Sequence, residues 1–228
     1  MENNLIRLEA LIGKDKIDIL KNKKVLICGV GGVGSFVAES LARSGIGFLT
    51  LIDFDVIDES NLNRQLMTNK NNIGSPKVEE LKKRINSYCD CAVETHQIKI
   101  DSTFLLDKYY DYVIDCVDNL TAKFQIVKQA QQKNIKVISS LGTAKRLEIK
   151  ELKYTTLDKT RNDPLARKFR ELVKKEKYYK KIPVVYYDYP ALPTKDNILG
   201  SAIFTPASAG LYIGSIVFNE LIGEKNEI

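Results

Sequence analysis

The sequence predicts a doubly wound α/β fold, in which helices cover both faces of a mostly parallel sheet. The first observation is an apolar strand that starts at Val25 and passes directly into a glycine-rich turn, followed by a periodic helix over 35–44. The second is the alternation of strand-like and helix-like segments along most of the chain, which is typical of parallel sheets. Together these observations describe a Rossmann-like fold, whose ligands bind beyond the carboxyl ends of the strands.

The glycine-rich turn is the first candidate binding element. Its backbone amides, next to a helix N-terminus, form a site for a phosphate chain. One glycine can make the tight turn, another can admit the ligand, and another can let helix and strand pack closely. The glycines are Gly29, Gly31, Gly32 and Gly34. Alone, the turn indicates a nucleotide and does not distinguish a dinucleotide from ATP.

The remaining elements follow in order along the chain. Further strands are predicted near 48–53, 91–100, 112–117 and 135–141, and further helices near 76–87 and 121–133. Beyond residue 145 the segments 147–156 and 183–189 are expected as antiparallel additions, with a basic helix between them. No linker rich in Gly, Pro or Ser occurs, so we expect a single domain over 1–228 with a C-terminal elaboration from about 145.

The uncharged tail over 197–219 is the one stretch long enough to suggest a membrane span. Small and polar residues interrupt it, which favours a buried helix starting near Ala207 that packs in the core or against a second subunit.

Composition indicates a globular protein of the cytoplasm. The chain has 228 residues, of which 44% are hydrophobic and 28% charged, and its N-terminus lacks the pattern of a secretory signal. The cysteines form no paired CxxC arrangement, and His96 is the only histidine. We therefore expect buried, reduced thiols rather than disulfides or a zinc site. The cysteines are Cys28, Cys89, Cys91 and Cys116.

Positive charge is concentrated in one segment. The stretch from Lys159 to Lys181 carries a net charge of +7, whereas the whole chain carries +6. Such a run can be a solvated helix face. Its concentration, with Tyr178, Tyr179, Tyr186 and Tyr187 close behind, favours contact with a polyanion such as RNA. The candidate residues for this contact are Arg161, Arg167, Lys168, Arg170, Lys174 and Lys175.

Two aspartates follow the second strand. Asp53 ends that strand about 20 residues after the glycine turn, where a carboxylate accepts hydrogen bonds from ribose hydroxyls. An aspartate at this place can also cap the next element. Asp55 is a weaker candidate for the nucleotide site and fits a loop or metal role as well.

Cationic and amide side chains come next along the chain. Asn61 and Arg64 lie in the run Asn-Leu-Asn-Arg-Gln, and Lys77 stands at a predicted helix start. A dehydrogenase has no need of an arginine here, whereas attack on the α-phosphate of ATP builds negative charge that fixed donors stabilise. Either cation alone is more often a solvated surface charge.

The fourth strand ends in Asp-Cys-Val-Asp-Asn. Asp118 lies beyond the strand end and is suited to hold Mg²⁺ against a triphosphate. Asp115 lies deeper, where capping a loop is the expected role. The glycine turn, Asp53, Arg64, Lys77 and Asp118 together describe ATP held for adenylyl transfer.

These motifs resemble the ubiquitin-activating-like (HesA/MoeB/ThiF) adenylyltransferase superfamily, over about residues 7–223. The matching runs are Gly-Val-Gly-Gly-Val-Gly-Ser, Leu-Ile-Asp-Phe-Asp, Asn-Leu-Asn-Arg-Gln, Gly-Ser-Pro-Lys-Val-Glu and Asp-Cys-Val-Asp-Asn. Three further segments resemble its tRNA threonylcarbamoyladenosine dehydratase branch. They are residues 42–47, the Asp-Lys-Thr…Asp-Pro-Leu-Ala run over 158–167, and the ending over 199–211.

The resemblance implies roles for individual residues. It implies that Gly32 lies near the phosphates, Asp53 near the ribose, Arg64 and Lys77 on the phosphates, and Asp118 on the metal. Arg7 matches an arginine that such dimers contribute to the partner's site. The resemblance thus implies ATP and Mg²⁺ as cofactors, a homodimer, and a sulfur-transfer protein as a further partner. Relatives often carry an Asn and a longer insert where this chain has residues 142–146, and the segment 187–199 is shorter here.

The branch implies an ATP-dependent dehydration of threonylcarbamoyladenosine in tRNA. The carboxylate of the modified adenosine attacks the α-phosphate, and the carbamoyl group then closes onto the activated carbonyl with loss of AMP. Positioning and charge stabilisation supply such catalysis without a protein nucleophile.

Two alternatives remain at this point. The first is an adenylyltransferase that activates the C-terminal carboxylate of a ubiquitin-like sulfur-carrier protein by the same ATP chemistry. Such enzymes often carry CxxC pairs, which this chain lacks, and they do not explain the basic segment. A dinucleotide-dependent oxidoreductase or a non-catalytic nucleotide-binding module leaves Arg64, Lys77 and Asp118 unexplained.

Overall fold

The computed structural model describes residues 3–195 and 199–224. In these ranges seven strands form one sheet in the order β3-β2-β1-β4-β5-β7-β6. The strands are β1 (Lys24–Cys28), β2 (Phe48–Ile52), β3 (Ala92–His96), β4 (Tyr112–Asp115), β5 (Lys136–Ser140), β6 (Leu152–Thr156) and β7 (Pro183–Tyr187). All neighbouring strands run parallel except β6 and β7. The predicted doubly wound α/β fold is confirmed.

Helices cover both faces of this sheet. They are α1 (Ile6–Ile12), α2 (Lys14–Lys21), α3 (Gly34–Arg43), α4 (Lys77–Asn86), α5 (Leu120–Gln132), α6 (Pro164–Lys175) and α7 (Phe204–Leu221), with short 3-10 turns at Asn3–Leu5, Glu59–Asn61 and Leu157–Lys159. Alternate residues of β1 enter different cores: Val25 and Ile27 pack with α3, α4 and α7, whereas Leu26 and Cys28 pack with α5 and α6.

The strand order reverses between β1 and β4, because β1 lies between β2 and β4 while the chain continues outward in both directions. Such a reversal opens a crevice at the carboxyl ends of the two strands, and ligands of doubly wound sheets bind there. The glycine turn follows β1 and the Asp-Cys-Val-Asp-Asn run follows β4, so both reach this crevice.

Two expectations about the strands need correction. Only β6 is antiparallel; β7 pairs in parallel with β5 and therefore extends the parallel sheet. Helix α6 lies between β6 and β7 in the chain and packs on α5, which carries the chain back so that β7 runs in the same direction as β5. The predicted strands over 91–100 and 147–156 are shorter than expected, since only 92–96 and 152–156 find partners.

The uncharged tail forms α7, which begins at Phe204, three residues before the expected start. It packs on α3 through small residues: a Cβ added to Gly210 would lie 2.5 Å from Val33 O, and one added to Gly214 would lie 2.1 Å from Ser40 Oγ. Residues 197 and 198 of this tail fall outside the described ranges. Among the helices of those ranges, none combines the length and apolarity needed to cross a membrane.

Candidate active site

The glycine turn depends on two close main-chain contacts. Gly29 has a φ of +85°, and a Cβ there would lie 2.9 Å from the carbonyl carbon of Cys116. A Cβ at Gly34 would lie 1.9 Å from Gly29 O, so α3 can start this close to β1 only with glycine. Gly31 and Gly32 meet only side chains, namely Gln65 and the pair Pro206 and Arg64. These two positions therefore leave the turn open to a ligand.

Asp53 links β2 to the glycine turn. Its Oδ2 accepts from the Val30 amide (2.8 Å) and its Oδ1 from the Asp55 amide (2.9 Å). Burial raises the pKa of this carboxyl, while the two amides and the nearby Lys77 charge oppose the shift. Each oxygen keeps lone-pair capacity for a hydroxyl group, so the predicted ribose role and the capping role are compatible in this geometry.

Lys77 begins α4 and contacts the loop that follows β2. Its side chain is buried, and Nζ lies 2.6 Å from Asp55 Oδ2. The Lys77 amide donates to the Asp55 carbonyl (3.1 Å), so the two residues are tied by backbone and side chain. Asp55 is thus the partner of Lys77, and both remain candidates for the nucleotide site.

Arg64 reaches the turn from the loop after β2. Its Cγ lies 3.6 Å from the position of a Cβ on Gly32, and its Nη1 donates to Ser60 O (2.7 Å) and Asn63 Oδ1 (3.0 Å). In the described part of the chain, Nε and Nη2 make no hydrogen bond. Asn61 is buried, and its Oδ1 accepts from the Asp58 amide (3.1 Å) in a capping box. Its role in nucleotide binding stays a prediction.

Gln65, next to Arg64, is a site residue that sequence reasoning did not single out. It is buried, its Nε2 lies 3.7 Å from the Cβ position on Gly31, and its Oε1 has no hydrogen-bond partner among the described residues. An unpaired buried acceptor beside the turn fits a ligand that brings its own donor. Its position after Arg64 in the Asn-Leu-Asn-Arg-Gln run was the available signal.

Asp118 lies in the loop that follows β4, at the carboxyl edge of the sheet. It is exposed, and within the ranges that the structure describes its carboxylate makes no hydrogen bond or ion pair. The loop that carries it is fixed from below: Val117 N donates to Asp115 Oδ1 (3.1 Å), and Asn119 caps α5 through Ala122 N (3.0 Å). The predicted loop-capping role of Asp115 is confirmed.

A fully buried ion pair lies beneath that loop. Lys123 Nζ is 2.8 Å from Asp115 Oδ2 and also donates to Ser139 Oγ (3.1 Å) and Ser140 O (2.8 Å). Burial raises the pKa of Asp115, against the ammonium group and the hydrogen bonds from Ser139 and Val117. Sequence reasoning missed Lys123. The available signal was its place between Ala122 and Phe124 on the apolar face of α5, because a lysine buried there needs a partner for its charge.

A second buried cation, Arg146, lies in the loop that follows β5. Arg146 is 2% exposed, and its two Nη atoms donate to four backbone carbonyls of the loops around it. Close by, Asp163 Oδ2 accepts from Gly142 N (2.9 Å), while its Oδ1 caps α6. The N-terminus of α6 is thereby attached to the carboxyl edge of the sheet.

The basic segment is partly a surface and partly core. Arg161, Arg167, Lys168, Lys174 and Lys175 are exposed, on or just before α6. Arg170 differs, because it is half-buried and its Nη1 donates to the carbonyl (3.1 Å) and the hydroxyl of Thr160.

The aromatic part of the RNA expectation is wrong for two residues. Tyr186 and Tyr187 are buried in β7, because this strand is interior to the sheet. Tyr179 is 84% exposed and remains available to a partner, while the Tyr178 hydroxyl donates to Gln131 Oε1 (2.5 Å).

Arg7 lies on α1, far from the glycine turn of its own chain. Leu5, just before α1, packs beside Gly45, which follows the C-terminal end of α3. The turn is at the other end of α3, about 15 Å away for ten helical residues. Arg7 is exposed, a position compatible with the expected contribution to a second subunit.

The thiols near the site are not activated. All four cysteines are free, and burial raises the pKa of Cys28 and Cys116. A raised pKa favours the neutral thiol over the thiolate, which is the nucleophilic form of cysteine. Among the described residues no group of three or more His, Cys, Asp or Glu could hold a metal. A metal site here needs ligand phosphates in addition to Asp118.

Comparison with known protein families shows to which family the chain belongs. The model of the ThiF family matches residues 3–146, more than half of the chain. The chain belongs to the ThiF family. The matched part ends at Arg146, so β6, α6, β7 and α7 lie outside it.

Relatives extend the similarity of this ThiF-family chain over its full length. The tRNA threonylcarbamoyladenosine dehydratase of Bacillus subtilis is 33% identical over 97% of this chain and 96% of the relative. The crystal structure of the Escherichia coli tRNA N6-threonylcarbamoyladenosine dehydratase in complex with ATP superimposes with a TM-score of 0.88. It is 26% identical, over 97% of this chain and 94% of that one. The molybdopterin-synthase adenylyltransferase of Haemophilus influenzae, at 37% identity, matches only 57% of this chain and 54% of the relative.

Proposed function

We propose that this chain is an ATP-dependent tRNA threonylcarbamoyladenosine dehydratase that works through an acyl-adenylate. One observation carries the adenylation step: the segments bearing Asp53, Arg64 and Asp118 contact the glycine turn from three sides. The similarity to dehydratases over nearly the whole chain favours this substrate over a sulfur-carrier protein, because the match to the molybdopterin-synthase adenylyltransferase covers only 57% of this chain. We also propose that residues 1–228 act as one domain with a C-terminal elaboration.

ATP fits the residues present. The open side of Gly31 and Gly32 admits phosphates to the backbone amides, and the Asp53 oxygens keep capacity for ribose hydroxyls. The free N–H groups of Arg64 and the Lys77 ammonium supply fixed positive charge for the phosphates. Asp118 is the residue that would hold Mg²⁺, which when bound neutralises phosphate charge and stabilises the leaving pyrophosphate.

The chemistry needs no protein nucleophile. A carboxylate oxygen of the threonylcarbamoyl group attacks the α-phosphorus, the bond to the β-phosphate oxygen breaks, and pyrophosphate leaves. The carbamoyl group then attacks the activated carbonyl and loses a proton, and AMP departs with the former carboxylate oxygen. The oxygen of the water formally lost therefore leaves in AMP. Arg64 and Lys77 meet the charge that builds on the phosphates, and the inert Cys28 and Cys116 are not required.

We further propose that the exposed basic residues of α6 contact the tRNA backbone, since α6 starts at the carboxyl edge of the sheet. Salt dependence of tRNA binding follows from such phosphate contacts. The cytoplasm is the expected location. A sulfur-transfer protein as a partner stays a prediction.

The deciding experiment measures pyrophosphate release with three additions to the purified protein and ATP-Mg²⁺. These are tRNA carrying threonylcarbamoyladenosine, the same tRNA without the modification, and a carrier protein ending in Gly-Gly. We expect release only with the modified tRNA. Pyrophosphate release with the carrier protein alone would establish the sulfur-carrier alternative. If none of the three additions caused release, the proposal that this protein is an adenylating enzyme would be wrong.

The proposed homodimer with a shared site is tested by mixing two inactive variants. Arg7→Ala and Asp118→Ala each damage a different subunit's contribution to a site. If Arg7 acts in the partner's site, mixed dimers contain one site with both residues intact and recover part of the activity. Activity that stays absent after subunit exchange, confirmed by tagged co-purification of mixed dimers, would place Arg7 elsewhere.

A further inference from the structure

Arg146 is a buried guanidinium group that forms no ion pair with a carboxylate of the described residues. Its Nη1 donates to Gly142 O (3.0 Å) and Ala144 O (3.2 Å), and its Nη2 to Asn162 O (3.3 Å) and Tyr189 O (3.1 Å). The Nε atom is buried and has no hydrogen-bond partner among the described residues. A charge in this state costs free energy that a purely apolar contact would avoid, so its placement calls for a reason other than stability.

The four carbonyls belong to three separate segments at the carboxyl edge of the sheet. They are the loop after β5 (142–146), the residues just before α6, and the residues just after β7. The rings of Tyr187 and Tyr189 lie 6.0 and 5.4 Å from the guanidinium carbon and complete its surroundings. One side chain therefore sets the relative positions of three segments that are distant in sequence.

A chain of contacts joins this cluster to the glycine turn. The Thr205 hydroxyl donates to Thr143 O (2.8 Å) in the loop after β5, and the Tyr187 hydroxyl donates to Thr205 O (2.9 Å). The next residue, Pro206, packs 3.2 Å from the Cβ position on Gly32. The start of α7 thus holds the loops around Arg146 at a defined place relative to the glycine turn.

We propose that Arg146 is a positioning residue: it fixes the substrate-side loops so that the carboxylate on the tRNA meets the α-phosphate of ATP. This inference rests on the proposed function. The planar fork of arginine presents paired donors in fixed directions, which suits four carbonyls on three segments; the single ammonium of lysine cannot span them. Arg146 contacts none of Asp53, Arg64, Lys77 or Asp118, so ATP binding itself does not depend on it.

The test separates ATP affinity from turnover in the full-length protein. For Arg146→Gln we expect an ATP Kd within about two-fold of wild type by calorimetry. We expect kcat for pyrophosphate release with modified tRNA to fall about 10- to 100-fold, because a misplacement of about 1 Å has this effect on reacting groups. Arg146→Lys keeps the charge but not the planar fork, so we expect kcat to fall about as far as in Arg146→Gln. A merely structural role would lower the melting temperature without this split.

Two further variants keep the test decisive. Thr205→Val removes only the hydroxyl that joins the loop to α7, and we expect the same split at smaller size; it carries the test if Arg146→Gln does not fold. Ile17→Ala creates a cavity in α2 at the opposite edge of the sheet and should lower the melting temperature while kcat per folded molecule is kept. Unchanged kcat in the folded Arg146 or Thr205 variants, or a parallel loss of ATP affinity, would overturn the proposal. Wild-type protein that releases no pyrophosphate contradicts the proposed function instead.

Discussion

The loops after β4 and β5 are neighbours at the same edge of the sheet, yet each rests on a buried cation of a different kind. Under the β4 loop, Lys123 is paired with Asp115, eight residues away on the adjoining strand end. At the β5 loop, the hydrogen bonds that Arg146 makes to described residues all go to carbonyls, one of them 43 residues away in sequence. The paired lysine stabilises one local motif that presents Asp118. The arginine instead brings together segments that no motif connects.

The largest expected effect is on stability at the β4 loop. Lys123→Met leaves the Asp115 carboxylate buried without its counter-ion, and we expect the free energy of unfolding to fall by about 3–5 kcal/mol. Urea unfolding at pH 7 measures the change. The double variant Asp115→Asn with Lys123→Met removes both charges and should recover much of the loss. If the single and double variants are equally unstable, charge compensation is not what distinguishes this cation from Arg146.

The next largest effect is expected on turnover, when Asp118 in the loop after β4 is replaced. Asp118→Asn should lower kcat about 10²- to 10³-fold, since the carboxylate is exposed, makes no ion pair with the described residues and is the proposed metal ligand. Thermal unfolding should be unchanged, because no contact among the described residues is lost. Asp15→Asn, on exposed α2 at the far edge, is the matched control and should leave kcat unaltered. An Asp118→Asn protein with full activity would remove this residue from the site.

A smaller effect is expected on the substrate side. Lys174→Glu with Lys175→Glu should weaken tRNA binding about tenfold or more and reduce the salt slope by roughly 2, as two phosphate contacts are lost. The ATP Kd should not change. Filter binding over a series of salt concentrations measures both quantities. The control Lys14→Glu with Lys24→Glu makes the same charge change at the opposite edge of the sheet. If both pairs weaken tRNA binding equally, the effect comes from net charge and not from contacts of α6 with the tRNA.

The smallest effect concerns a third buried charge, which is compensated by two guanidinium groups. Burial tends to raise the pKa of Glu39, but hydrogen bonds from Arg84, Arg43 and Tyr88 outweigh it and lower the pKa below 4.5. A lowered folded-state pKa stabilises the protein above about pH 4.5, and this contribution is lost as the pH falls through the folded value.

Glu39→Gln should therefore lower the free energy of unfolding by about 1 kcal/mol at pH 7 and by less at pH 3. Urea unfolding of wild type and variant at both values provides the comparison. A difference that does not shrink at low pH would show that Glu39 acts through packing rather than charge.

Sequence reasoning was most complete where function and structure are encoded locally. The glycine turn, Asp53 and the start of α4 follow their strands directly, so periodicity and motif spacing located them to within a few residues. Lys123 and Gln65 were missed although their signals were present, namely a lysine on an apolar helix face and an amide beside a charged neighbour. The parallel direction of β7 was not predictable from its pattern, because a buried strand reads the same in either direction.

The sequence by itself determined the doubly wound sheet, the position of the crevice and the residues around the glycine turn, because these depend on hydrophobic period and on short motifs. Only the tertiary structure decided that Tyr186 and Tyr187 are core residues, that Asp55 pairs with Lys77, and that Arg146 gathers three segments. Those outcomes depend on contacts between residues far apart in the chain, where burial and the need to satisfy each buried charge select the partner.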